Sequence, residues 1–192
     1  MRFVIGLGNP GSKYVGTRHN VGFDVVAELA KRFHAEPAQK KFDADVQDIR
    51  IRNEKVLLIA PLTFMNLSGQ SVSQLVKFYQ PDLSEIVVVC DDMNLPAGRI
   101  RWKPSGSAGG QNGLSDIIQR VGDPEIPRLR VGIGRPPGRM EATAWVLGRF
   151  KAEEMEAIDH SIVRSADSIE KWCSEGIQAT MNEFNRSPEA AE

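Results

Sequence analysis

One imidazole, one carboxylate and three side-chain amides fall where a folded chain of this sequence would gather reactive groups: His19, Asp91, and Asn9, Asn66 and Asn112. Of the three histidines, His19 alone is set in a loop between an expected strand and an expected helix; His34 closes one helical stretch and His160 lies inside another. An imidazole exchanges its proton near neutral pH, an amide donates and accepts hydrogen bonds without charge, and a carboxylate at the carboxyl end of a strand borders the crevice of an open α/β sheet. Plainer readings stand beside these. Asp91 and Asp92 would serve equally well as a loop feature or a helix cap, and Asn66, just ahead of a helix, reads more readily as that helix's cap.

The elements that must carry these groups follow from the apolar pattern. Arg2 to Leu7 is a short apolar run that stops at glycine, as a buried strand does. Asn20 is placed to cap a helix running to about Phe33, with Val26, Leu29, Ala30 and Phe33 on one face. Alternation around Val46, Ile49 and Ile51, a turn at Asn53-Glu54 and the run Val56 to Ala60 predict a hairpin that ends at Pro61. A helix is expected from about Gln70 to Tyr79. The β-branched run Ile86-Val87-Val88-Val89 suits a strand buried on both faces and leads into Cys90-Asp91-Asp92. Gly98 to Pro104 and Pro127 to Gly134 predict two further strands. Between them, Ser105 to Gly113 holds four glycines in nine residues and precedes a helix through Ile117 and Ile118. From Lys151 to about Trp172 the apolar spacing is helical.

Strands alternating with helices, interrupted by one hairpin, imply a single-domain α/β fold: a mixed, mostly parallel, twisted sheet flanked by helices on both faces. The domain is expected over residues 1–185, with a flexible tail at 186–192. The length of 192 residues, 41% of them apolar, suffices for one sizeable core.

Several function classes lose support at this level. Gly6-Leu7-Gly8-Asn9-Pro10-Gly11 matches GxGxxG, yet a loop from Ser12 to Arg18 intervenes before the helix, and Asp24 and Glu28 fall inside the helix rather than at the end of a second strand; the dinucleotide reading is set aside. The glycine-rich loop lacks GxxxxGK[ST], and no HExxH, EF-hand loop or GxSxG occurs. No metal and no cofactor is expected. Cys90 and Cys173 form no CxxC, no basic segment with an apolar core precedes the first strand, and no apolar stretch approaches membrane-spanning length, so a cytoplasmic protein without a membrane partner is expected. The net charge of −1 is unevenly spread: residues 99–139 carry eight basic and three acidic side chains, whereas residues 140–192 carry five and eleven. The basic segment is either a local footprint for phosphates or a set of solvated strand ends.

Six blocks, read together, carry a resemblance: Gly6-Leu7-Gly8-Asn9-Pro10-Gly11, Thr17-Arg18-His19-Asn20, Phe64-Met65-Asn66-Leu67-Ser68-Gly69, Asp91-Asp92 with Leu95-Pro96, Gly109-Gly110 with Asn112-Gly113, and Arg130-Val131-Gly132-Ile133-Gly134. In order and span the chain resembles the bacterial peptidyl-tRNA hydrolase family. The resemblance implies hydrolysis of the ester that joins a peptide to the ribose at the tRNA 3′ end, with peptidyl-tRNA as partner and a monomer as the working form. It implies a catalytic His19 acting as general base and oriented by Asp91, with Asn9 in the catalytic set. Tyr14, Phe64, Met65, Asn66 and Asn112 would contact substrate, and Lys103 and Arg130 would hold tRNA phosphate. Three positions depart from the family pattern: Cys90 and Gln111 where histidine is usual, and Asn94 where aspartate is common. A non-catalytic RNA-binding relative acting in RNA processing is the competing expectation.

Overall fold

The computed structural model describes residues 1–186; the expected tail lies, from residue 187 on, outside the described residues. In chain order the elements are β1 (Arg2–Gly6), α1 (Val21–Arg32), β2 (Gln39–Lys41), β3 (Ala44–Ile51), β4 (Glu54–Pro61), α2 (Ser68–Tyr79), β5 (Ile86–Asp92), β6 (Ile100–Lys103), α3 (Asn112–Val121), β7 (Arg128–Gly132), α4 (Ala142–Val146) and α5 (Ala152–Phe184). Seven strands form one sheet in the order β2-β3-β4-β1-β5-β7-β6. Its centre, β4-β1-β5-β7, is parallel, whereas β2, β3 and β6 run antiparallel to their neighbours.

Alternation along the central strands feeds two cores. Val4, Val87 and Val89 point to the face covered by α1 and α5, and Phe3, Ile5 and Val88 to the face covered by α2 and α3. All six are buried to within 1% of exposure, so each contributes on the order of 1.5–3 kcal/mol. The sheet is therefore clamped from both sides, and the loops at the carboxyl ends of β1, β5 and β7 meet at one edge.

Glycine permits the closest contact in this arrangement. A Cβ on Gly22, in the first turn of α1, would lie 2.5 Å from both the Leu7 nitrogen and the Val89 oxygen. Both neighbours are backbone and cannot step aside. Gly22→Ala is expected to destabilise the fold by about 3 kcal/mol or more, read as a lower urea midpoint; a midpoint equal to that of the wild type would contradict this packing.

The structure differs from the sequence expectations at several places. Asn20 precedes α1 but makes no side-chain cap; its amide is engaged by the backbone of Asn9. Asn66 is not a cap either: a single 3-10 turn, Met65–Leu67, leads into α2, and Leu67 occupies the cap position. The helix expected to end near Trp172 continues to Phe184 across a break at Gly176, whose backbone leaves the helical region at φ 80° and ψ 177°. Ile177, Met181 and Phe184 restore the apolar face beyond the break, and Lys171 bridges it by pairing with Glu183 at 2.9 Å. Just past that helix, Asn185 accepts from the Trp102 nitrogen at 2.7 Å and donates to the Trp102 oxygen at 3.0 Å, so one side chain pairs both backbone groups of that residue on the open side of edge strand β6. Elements β2 and α4 have no counterpart in the apolar pattern; at three and five residues, neither is long enough to show a period.

Candidate active site

The edge where β1, β5 and β7 end holds a cleft with His19, Asp91, Gln111, Asn112 and Arg130 in its lining, together with Ala142, Thr143 and Val146 of α4. His19 belongs to a 3-10 turn, Arg18–Asn20, between β1 and α1. Its neighbours hold it. Arg18 is 2% exposed, with its guanidinium 3.6 Å from the centre of the Trp145 ring; it donates to Glu154 at 2.6 Å and to the Arg149 carbonyl. The Arg18 nitrogen also donates to the Gly148 carbonyl at 2.9 Å. These bonds fasten the histidine loop to the segment that carries α4.

The imidazole Nδ1 of His19 lies 2.9 Å from Oδ1 of Asp91, and both residues are buried. A carboxylate only accepts, so this contact places a proton on Nδ1 and leaves Nε2 of the neutral ring with its lone pair. Asp91 is thus a cleft residue, and the loop and cap readings of it fall away. The same Oδ1 accepts a second bond, from Nε2 of Gln111 at 3.1 Å.

Asn9 is fixed in three ways. Its backbone nitrogen donates to Oδ1 of Asn20 at 2.9 Å, and its carbonyl accepts from Nδ2 of Asn20 at 3.0 Å. This reciprocal pair explains why Asn20 is unavailable as a cap. The side-chain Oδ1 of Asn9 accepts from the Met65 nitrogen at 2.8 Å. Its Nδ2 is then turned away from Met65 and makes no bond to protein among the described residues.

The expected site residues do not all share the cleft lining. His19, Asp91, Asn112 and Arg130 do; Asn9 and Met65 are bonded to each other in the adjoining wall, with Met65 also 3.2 Å from Gln111 through its sulfur. Phe64 and Asn66 are exposed, and half-buried Tyr14 has the Lys13 ammonium 4.7 Å from its ring centre; none of the three is in the lining. Lys103 is exposed and lines a neighbouring depression with Arg101, Ser105 and Ser107. Arg130 forms the wall between the two hollows. Its guanidinium is 5% exposed, pairs with Asp92 at 3.0 Å and donates to the Ser107 and Ala108 carbonyls at 3.2 and 2.9 Å. Arg128, fully buried, likewise donates to the Gly106 carbonyl at 2.6 Å. The basic segment therefore divides: Arg101 and Lys103 face solvent, whereas Arg128 and Arg130 brace the glycine-rich loop from beneath.

Sequence reasoning missed Gln111 as a working group, the clamp made by Asn20, and the wall supplied by α4. No local signal marks them. Gln111 caps α3 by accepting from the Leu114 nitrogen at 2.7 Å, and glutamine is not among the favoured cap residues.

A mixed sheet with a parallel centre, covered on both faces and carrying an imidazole–carboxylate pair beside an oriented amide at its carboxyl edge, defines an α/β protein with a polar cleft at that edge. The peptidyl-tRNA hydrolase family model matches residues 3–192. The chain is 47% identical to the peptidyl-tRNA hydrolase of Rhodopirellula baltica, covering 96% of this chain and 97% of that one. It is 48% identical to the enzyme of that name from Syntrophomonas wolfei, covering 96% and 100%. The crystal structure of peptidyl-tRNA hydrolase from Acinetobacter baumannii superposes with a TM-score of 0.90 at 35% identity, covering 96% of this chain and 94% of that one. The chain belongs to the peptidyl-tRNA hydrolase family.

Proposed function

We propose that this chain hydrolyses the ester between a peptide and the 3′ ribose of tRNA, with His19 as the general base. The hydrolase activity follows from membership of the family; the assignment of roles rests chiefly on the contact between Nδ1 of His19 and Asp91 at 2.9 Å. That contact leaves Nε2 free to take a proton from a water molecule in the cleft. The water oxygen forms a bond to the ester carbonyl carbon, the carbonyl oxygen becomes an oxyanion, and the ester bond breaks. The proton held by His19 passes to the departing ribose oxygen, so the products are tRNA with a free 3′ hydroxyl and a peptide carboxylic acid, which loses its remaining proton to solvent. Asp91 stabilises the imidazolium while it exists.

The free Nδ2 of Asn9 supports a role as donor to the oxyanion; a group of that kind is typically worth about 10²–10³ in rate. Asn112, at the start of α3 in the cleft lining, and Met65, Asn66, Phe64 and Tyr14, which lie outside that lining, would meet the peptide and its ester. Among the described residues no helix is long and apolar enough to cross a membrane. From the resemblance to the family we further propose a cytoplasmic monomer. The intact base pair beside an oriented amide favours the hydrolase over a non-catalytic RNA-binding relative. The deciding experiment is release of labelled N-acetyl-aminoacyl groups from tRNA, with unblocked aminoacyl-tRNA as control; cleavage of the blocked substrate alone supports this reading, and tRNA binding without cleavage overturns it.

Lys103, exposed beside the braced loop, suits contact with a tRNA phosphate, and Arg130 would join it by turning from Asp92. Lys103→Ala is expected to weaken tRNA binding and to lower the slope of log affinity against log salt by about one, measured by titration over a range of salt. An unchanged slope would remove Lys103 from the phosphate contact.

A further inference from the structure

Gln111 is 6% exposed, and every polar atom of its amide is engaged. Oε1 accepts from the Leu114 nitrogen at 2.7 Å, while Nε2 reaches Asp91 Oδ1 at 3.1 Å and Met65 Sδ at 3.2 Å. An amide can turn over and exchange its oxygen and nitrogen, but here it cannot do so cheaply. Reversal would set N–H against the Leu114 N–H and an oxygen against the Asp91 carboxylate. The first turn of α3 needs an acceptor for its unpaired nitrogens, so the helix dictates which end of the amide faces the carboxylate.

We propose that Gln111 is a positioning residue for the His19–Asp91 pair: its amide, held in one orientation by the helix it caps, pins Oδ1 of Asp91 and so keeps the proton of His19 on Nδ1. Both donors converge on that one oxygen from opposite elements, the histidine loop and α3. Without Gln111, the carboxylate is free to rotate about its last torsion and the imidazole is free to adopt the tautomer with its proton on Nε2. That tautomer presents a donor to the cleft and cannot accept a proton from water. Through Met65, whose nitrogen donates to Asn9 Oδ1, the same amide also links the base to the neighbouring amide donor. The inference rests on the general-base reading given above.

Two substitutions separate capping from donation. Gln111→Glu keeps an oxygen for the Leu114 nitrogen but presents oxygen instead of N–H to Asp91; Gln111→Met keeps the length and loses both bonds. A residue that served only the helix would leave the His19 tautomer and the kcat of Gln111→Glu as in wild type. The full-length chain, labelled with 15N-histidine, is read by long-range proton–nitrogen correlation at His19 and by kcat and KM on N-acetyl-aminoacyl-tRNA. Wild type is expected to show one tautomer, protonated at Nδ1. Both variants are expected to populate the other and to lose kcat by about tenfold to hundredfold, with KM changed less than about twofold and with Gln111→Glu melting below wild type, because its carboxylate faces that of Asp91. A wild-type tautomer in both variants, or a wild-type kcat in Gln111→Glu, overturns the proposal. The tautomer needs no turnover to be read. If the wild type itself fails to cleave, the hydrolase reading fails while a shifted tautomer still supports the role of Gln111; cleavage by wild type with an unshifted tautomer in both variants removes Gln111 alone.

Discussion

His19→Ala is expected to lower kcat for N-acetyl-aminoacyl-tRNA by about 10²–10⁴-fold, the range that a well-placed general base supplies, while tRNA affinity and the melting midpoint stay close to wild type. The fold should survive because the loop is held by residues other than the imidazole: the Arg18 guanidinium on Trp145 and Glu154, and the Asn20 amide on the Asn9 backbone. Asp91 keeps one donor, Nε2 of Gln111, so the substitution does not strand a carboxylate. RNA affinity should survive because Lys103 and Arg101 line a separate depression. Single-turnover hydrolysis beside equilibrium tRNA binding checks both parts. A variant that cleaves at the wild-type rate would remove His19 from the mechanism.

How much of this is legible in the chain depends on whether the signal is local. β5 announces itself because a strand buried on both faces must be apolar without interruption, and Ile86 to Val89 is. The ends of β1 and β5 then locate His19 and Asp91, since a crevice forms where parallel strands stop. Short elements leave no period to read, so β2 and α4 are silent. The break at Gly176 hides the last turns of α5, whose cohesion comes from packing on the core and from Lys171, not from continuous helical spacing.

Within the site, residue types predict which groups could act but not which would be tied down. Asn20 has the sequence of a helix cap and the duty of a clamp, because the atoms it satisfies, those of Asn9, lie eleven residues away. Gln111 meets a carboxylate twenty residues away and a thioether forty-six away. Arg128 and Arg130 alternate with apolar residues as solvated basic positions would, yet the paired strands bury them and direct both guanidinium groups to carbonyls of the glycine-rich loop. Long-range pairings of this kind are properties of the folded sheet edge and leave no trace in local spacing.

Asp91→Asn offers a sharper test of the pair than deletion does. The substitution keeps the shape and removes the charge, and the new amide has two ways to face its neighbours. Turned with nitrogen toward His19, it would donate to Nδ1 and force the proton onto Nε2, but that nitrogen would also meet the N–H of Gln111, donor against donor. Turned with oxygen inward, it accepts from both, as Oδ1 of Asp91 does now. Gln111 therefore selects the second arrangement, and the tautomer should persist. What is lost is the attraction between the carboxylate and the imidazolium that forms during proton transfer. Unit charges about 4 Å apart at an effective dielectric constant near 20 attract by about 4 kcal/mol, which sets an upper bound of roughly 10³ on the effect. The expected result is a fall of about 10²–10³-fold in kcat with little change in KM, and a His19 tautomer like that of wild type. Asp91→Ala should cost more, because it also leaves the buried donors of Gln111 and His19 without an acceptor. Pre-steady-state rates for both variants decide the matter: an Asp91→Asn rate within about threefold of wild type would mean that the charge of the carboxylate stabilises nothing during the proton transfer, and an Asp91→Ala rate no lower than that of Asp91→Asn would mean that it orients nothing.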